Sequence, residues 1–170
     1  MHAVRWVLPI AVVIAAVGWV IAGHVARARA QAAATGFLMR LHESQQAFEK
    51  MAGGFASELE SLTRVCPSGR GPWMDTATLD SLRGAGYVVQ LRPWAGARVL
   101  GPDCHGRALV NDYYVGLEPA SGRAAGQRAY GSNGTGRVYV FVDGIAPREA
   151  DMAPGGLATP LEEMPTFRIP

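Results

Sequence analysis

The sequence predicts an α+β fold in which one long N-terminal helix, membrane-spanning in its first half, packs on a small antiparallel β-sheet. Three observations predict it. Residues 6–26 (WVLPIAVVIAAVGWVIAGHVA) contain no Asp, Glu, Lys or Arg. The helical pattern then continues to residue 52, where Gly53-Gly54 ends it. Beyond Gly86 the periodicity becomes strand-like, in short runs separated by turn residues.

At the α-helical rise, residues 6–26 span about 31 Å, close to the ~30 Å hydrocarbon core of a bilayer. Arg5 flanks the stretch on one side and Arg27 and Arg29 on the other. Pro9 lies near the start, where a missing backbone donor costs least, Trp6 and Trp19 suit the headgroup regions, and Ala26 closes the span. The small residues Ala11, Ala15, Ala16, Gly18, Ala22 and Gly23 allow another helix to approach closely, so the span reads as a docking element as well as a tether. A cleaved signal peptide is the competing reading, with Ala28-Arg29-Ala30 as its small-x-small site; two arginines between apolar core and site, and a core longer than an h-region, weigh against it.

Residues 27–52 read as an amphipathic continuation, with an apolar series at Ala26, Ala30, Ala33, Phe37, Leu41, Phe48 and Met51 and with Arg40, Glu43, Glu49 and Lys50 opposite. In FASELESL (55–62), Ser57 can cap a short helix that turns Leu59 and Leu62 inward. A second short helix is expected over 76–82, capped by Asp75 or Thr76 and stopped by Gly84. Strands are expected over 87–92, ended by Pro93; within 108–117, closed by Pro119 and the turn Ser121-Gly122; over 127–130; and over 138–142. The last pair is joined by Ser132-Asn133-Gly134-Thr135-Gly136, with Asn-Gly supplying positive φ. Residues 87–142 therefore read as a meander of about four strands. Five of the 25 residues of 146–170 are proline, without periodicity, so this tail is ordered only by lying on something and is a candidate docking segment.

The net charge of +2 divides unevenly: residues 1–30 hold three arginines and no acid, which leaves 13 of the 16 basic residues against all 14 acids in residues 31–170. A domain of net charge −1 lacks the basic footprint of a nucleic-acid binder. The flanking charges barely distinguish the two membrane orientations. Cysteine breaks the tie, because the only two, Cys66 and Cys104, lie beyond the anchor in Pro/Gly-rich loops that suit a disulfide in an oxidising compartment. Such a bridge closes a loop of about 39 residues, worth roughly 3–4 kcal/mol by chain entropy. Two unpaired thiols in a cytoplasmic domain are the alternative.

A membrane helix running into an amphipathic helix, the turn GGFASELESL at 53–62, and a small sheet ending in a hairpin together resemble type IV pilins and type II secretion pseudopilins. Further matches are the strand start Gly86-Tyr87 and the segment 113–140. That segment opens with Tyr113-Tyr114-Val115-Gly116, reaches Pro119, continues through a Gly-containing turn to Arg128-Ala129-Tyr130, and makes an Asn-x-x-Gly turn before its last strand. The similarity covers about residues 30–145. It implies the pilin-like fold and a protein that works by packing. The family's prepilins carry a basic leader, then Gly and an aromatic or Met, then a Glu five residues into the mature helix. Here MHAVR precedes the apolar stretch, Thr35-Gly36-Phe37 lies beyond it, and the first acid is Glu43, so a helix that stays in the membrane is expected in place of a processed filament core.

The chemical candidates are weak by comparison. His24 and His42 lie 18 residues apart on one helix, about 27 Å, too far to share a ligand sphere. Asp103-Cys104-His105 are contiguous, and contiguous loop residues rarely aim at one ion or form a nucleophilic pair. Residues 131–136 are Gly-rich, yet without a following Lys-Ser/Thr, and they lead into a strand, not a helix. Glu162-Glu163 reads as solvated surface. Trp73 and Trp94, each beside a proline, either plug the edge of their own core or anchor a partner. The expectation is thus a cytoplasmic N-terminus (1–5), a transmembrane helix (6–26), its continuation (27–52), a periplasmic pilin-like domain (53–145) and a tail (146–170). No enzymatic activity, cofactor, metal, nucleic acid or small-molecule substrate is expected. The partners expected are the lipid bilayer and the membrane subunits of a larger bacterial inner-membrane assembly for secretion, respiration or photosynthesis, with this chain as a structural subunit; the alternative is a minor pilin or pseudopilin.

Overall fold

Helix α1 runs unbroken over Val4–Ala52 in a computed structural model that describes the backbone of residues 4–120 and 127–163 and the side chains of residues 17–120 and 127–162. Its 49 residues extend about 74 Å. Among the residues whose side chains are described, the rest of the chain covers α1 from Ala30 onward. There the buried face is Ala30, Ala34, Phe37, Leu38, Leu41, Ser44, Gln45 and Phe48. The expected stripe is therefore rotated: Ala33 is half-buried, while Ala26 and Met51 are exposed and the polar pair Ser44 and Gln45 takes a place in the core.

Gln45 is buried because it completes a strand. Strand β1 (Phe55–Ala56) follows the turn at Gly53, and the Gln45 amide donates to the Ala56 carbonyl at 2.9 Å and accepts from the Ala56 N–H at 2.8 Å. One side chain thus serves both backbone groups of a strand residue that no neighbouring strand could reach from the helix side. Ser57 does not cap the next helix as expected; its hydroxyl donates to the Ala108 carbonyl at 2.7 Å, and Glu58 stands at the N-cap of α2 (Leu59–Thr63) without a side-chain capping bond. Helix α3 (Thr76–Gly84) is capped by Asp75, which accepts from the Ala77 N–H at 2.9 Å. It runs through Gly84, and the reversal into the sheet falls at Gly86, whose φ of +82° suits glycine.

The strands are β2 (Tyr87–Pro93), β3 (Val99–Pro102), β4 (Ala108–Val110), β5 (Tyr113–Pro119), β6 (Ala129–Asn133), β7 (Val138–Phe141) and β8 (Thr159–Pro160). They form two antiparallel sheets, ordered β1-β4-β3 and β2-β5-β6-β7-β8. Two expectations are corrected here. The strand expected over 111–117 is found as β5, and residues 108–110 just before it form β4 of the other sheet. The meander thereby loses residues 108–110 to the small sheet and gains β8 from the tail. In the hairpin, β6 runs on through Asn133, and the positive φ (+76°) is at Gly136, not at Asn133-Gly134. The turn Ser121-Gly122 lies outside the described residues.

The large sheet is covered on both faces. Tyr87, Tyr113, Val115, Leu117, Tyr130 and Val140 face α1 and form the main core with its buried stripe. Tyr114 and Tyr139 face the other way and pack with Met152 and Ala158 of the tail. Side-chain alternation with period two produces both sets from the same strands. Gly116 and Gly131 open the outer face to the tail: a Cβ on Gly131 would lie 2.7 Å from Pro147 Cγ and 2.8 Å from Met152 Sδ, and one on Gly116 would lie 3.0 Å from Ala146 Cβ. The irregular tail is thus ordered against its own domain, at least through Glu162, and is not a free docking segment.

Candidate functional site

The described part of α1 before Ala30 is the most unusual surface of the protein. Trp19 is 84% exposed, and Val17, Val20, Ile21 and Val25 are exposed beside it. Of the small residues expected to admit a partner helix, Gly18 and Ala22 are exposed and Gly23 is half-buried. A Cβ on Gly18 would meet nothing within 4 Å, and one on Gly23 only the Arg27 guanidinium at 3.9 Å. Ala26, His24, Arg27 and Arg29 are also exposed. Trp6, Pro9, Ala11, Ala15 and Ala16 lie outside the residues whose side chains are described. Among the described residues no helix is long and apolar enough to cross a membrane.

Both tryptophans in question pack on their own domain. Trp73 stands edge-on to Phe48 at 4.9 Å, its backbone N–H donates to the Leu62 carbonyl, and its carbonyl accepts from the Ser44 hydroxyl. Trp94 is half-buried against the outer cluster of Tyr114, Tyr139 and Met152. It also borders an open recess of about 650 Å³, whose other walls include Arg137, Tyr139, Pro154 and Glu162. Arg137 pairs with Glu162 at 3.0 Å across this recess; both side chains are more than half exposed, and such a pair contributes little. The side chain of Glu163 lies outside the described residues.

Cys66 and Cys104 are joined, with Cα atoms 5.6 Å apart, and fasten the loop after α2 to the β3–β4 turn. Arg107 ties the same two regions a second time through ion pairs to Glu58, at 3.4 Å, and to Glu60. The Glu60 carboxyl is held below its ordinary range, first by Arg107 and then by Arg64. Asp103 organises the turn: its Oδ1 accepts the N–H groups of His105 and Arg107, each at 2.8 Å. Burial, the largest single influence on Asp103, raises its pKa, but the nearby Ser61 hydroxyl and those two N–H groups outweigh it and the carboxyl sits low. Sequence reasoning set aside Asp103-Cys104-His105 because contiguous residues rarely converge. Here one donor atom from each of Cys66, Cys104 and His105 lies within 4.8 Å of the others, although the two sulfurs are bonded to each other. The convergence comes from Cys66, distant in sequence, which no local pattern could reveal.

The remaining candidates are structural. His42 Nδ1 meets the Tyr113 hydroxyl at 3.0 Å and its Nε2 meets the Gln46 amide at 2.9 Å. The Gly-rich residues 131–136 line the hairpin, where a Cβ on Gly136 would strike His42 Nε2 at 2.5 Å. The large pKa displacements belong to core tyrosines. Burial raises Tyr113 and Tyr130 strongly and pushes Tyr114 up to about 12. Those shifts follow from packing.

Comparison with known protein families, with curated proteins and with solved structures found no match.

Proposed function

We propose that the chain is a non-enzymatic, single-pass, membrane-anchored structural subunit whose folded domain docks on a larger bacterial inner-membrane assembly. One observation carries this reading: α1 presents Val17, Trp19, Val20, Ile21 and Val25 to the outside, immediately before the point where the domain begins to cover the helix. At about 25 cal/mol per Å², such side chains in water are a standing cost that a bilayer or apposed apolar helices would remove. The arginines at 27 and 29 then lie at the level where an anchor meets the headgroups. The joined cysteines support placing the domain on the oxidising, periplasmic side. The burial origin of the tyrosine shifts supports a role in packing over one in catalysis.

The second reading, a minor pilin or pseudopilin, is favoured by the uninterrupted 49-residue helix half-packed on an antiparallel sheet. Gentle solubilisation followed by identification of co-purifying proteins, with intact-mass measurement of the native chain, separates the two. An unprocessed anchor with co-purifying integral membrane subunits supports the first; a processed, methylated N-terminus supports the second. Recovery in the soluble fraction after cell breakage defeats both.

A further inference from the structure

We propose that reduction of the Cys66–Cys104 disulfide converts this corner of the domain into a zinc site, with the two thiolates and a ring nitrogen of His105 as ligands. The three donor atoms already lie within 4.8 Å of one another. Zinc takes thiolates at about 2.3 Å and imidazole at about 2.0–2.1 Å, so ligand atoms of a tetrahedral site stand roughly 3.3–3.8 Å apart. Once the S–S bond is broken, the sulfurs must separate to that spacing and the imidazole must draw in, movements within the reach of side-chain rotation. The mixed sulfur and nitrogen donor set suits Zn²⁺ over the hard cations.

Two further observations point to a ligand here. His105 Nε2 is buried without a hydrogen-bond partner. A cavity of about 210 Å³ lies against the disulfide, lined by Cys66, Cys104, Asp103 and Arg70 among others but not by His105, and gives access to the two sulfurs.

Backbone bonds on each side also shape the corner besides the disulfide. The Cys66 N–H donates to the Arg70 carbonyl and the Gly69 N–H to the Cys66 carbonyl. On the other side the Asp103 N–H donates to the Arg107 carbonyl and the Gly106 N–H to the Asp103 carbonyl. Arg107 keeps the two sides together through Glu58 and Glu60. The reduced ligands therefore stay close to their positions, and less ordering is needed when metal binds.

The chemistry balances with a dithiol as reductant. It delivers two electrons and two protons, the Cys66–Cys104 bond becomes two thiols, and the dithiol becomes a disulfide. Binding Zn²⁺ then releases the two thiol protons, and the two thiolates neutralise the charge of the ion. Thiol–disulfide exchange with a disulfide of the same class re-forms the Cys66–Cys104 bond, reduces that partner to its dithiol with uptake of two protons, and releases Zn²⁺, so the site is gated by redox state.

The test uses the full chain in detergent micelles, oxidised or reduced with a phosphine, and titrated with Zn²⁺ against a chromogenic chelator. The reduced protein should take up one equivalent per chain while keeping the far-ultraviolet circular dichroism of the oxidised form, and the oxidised protein should take up none. His105→Ala should weaken binding by more than about tenfold, and a Cys66→Ser, Cys104→Ser variant should abolish it. Zinc uptake equal to that of the double serine variant, uptake unaffected by His105→Ala, or uptake only by protein that has lost its native spectrum would each overturn the proposal.

Discussion

At the scale of single residues, the fold turns on polar groups placed where a hydrophobic pattern would not put them. Gln45 is fully buried and closes both backbone valences of Ala56. Replacing it by leucine leaves a buried N–H and C=O unpaired, at about 1–3 kcal/mol each, so Gln45→Leu should lower the unfolding free energy by roughly 2–6 kcal/mol. Urea titration with an unchanged slope is the check. Apolar periodicity correctly located Phe37, Leu41 and Phe48, but it could not recognise Gln45 or Ser44, because their burial depends on partners 11 and 29 residues away. The buried tyrosines make a second residue-scale prediction. Tyr87, Tyr113, Tyr114 and Tyr130 are raised above their unfolded value of 10.0, chiefly by burial. Their contribution is intact below pH 10 and is lost as pH rises towards the folded values, so the domain should unfold in alkali. Tyrosinate absorbance and loss of circular dichroism should then rise together; tyrosines that all ionise near pH 10 in an intact fold would refute this.

The tail is the element whose role changes most. Its sequence has no period because its position is set by the sheet beneath it, through Gly116 and Gly131, and by specific bonds. The Ala146 N–H donates to Glu118, the Tyr114 hydroxyl donates to the Pro147 carbonyl, and Glu149 pairs with Arg92 while accepting from the Ala95 N–H at 2.6 Å. Gly131→Ala inserts a methyl group where Pro147 and Met152 already touch the strand. Such overpacking costs about 1–3 kcal/mol, and here it should fall on the strap first. Limited proteolysis should cut the variant within 146–160 well before the rest of the domain, whereas uniform resistance in variant and parent would contradict the strap. Deletion of the tail should accordingly destabilise the domain by baring Tyr114 and Tyr139, and not simply detach it from a partner. The strands were more legible than the tail: 87–92 and 138–142 were expected within a residue or two, because alternation and turn residues are local signals. The assignment of β4 to a separate sheet with β1 and β3 depends on long-range pairing and was not legible.

For the whole molecule, the α+β arrangement of a long helix on antiparallel strands was readable from composition and period alone, whereas for the two cysteines the sequence left both a bridge and free thiols open, and the structure has the bridge. What the sequence could not supply was the way one sheet is enclosed, by α1 on one face and by the tail on the other. With both faces covered from within the chain, the apolar stretch of α1 from Val17 to Val25 stands out as a surface that the domain leaves to something else. Paramagnetic labels placed singly at position 19 and at position 39, both exposed on α1, in the full chain reconstituted into lipid nanodiscs, test this most directly. Oxygen, which concentrates in lipid, should relax the label at 19 and spare the one at 39, and a water-soluble nickel chelate should do the reverse. Equal access of the aqueous reagent to both positions would contradict the membrane anchor.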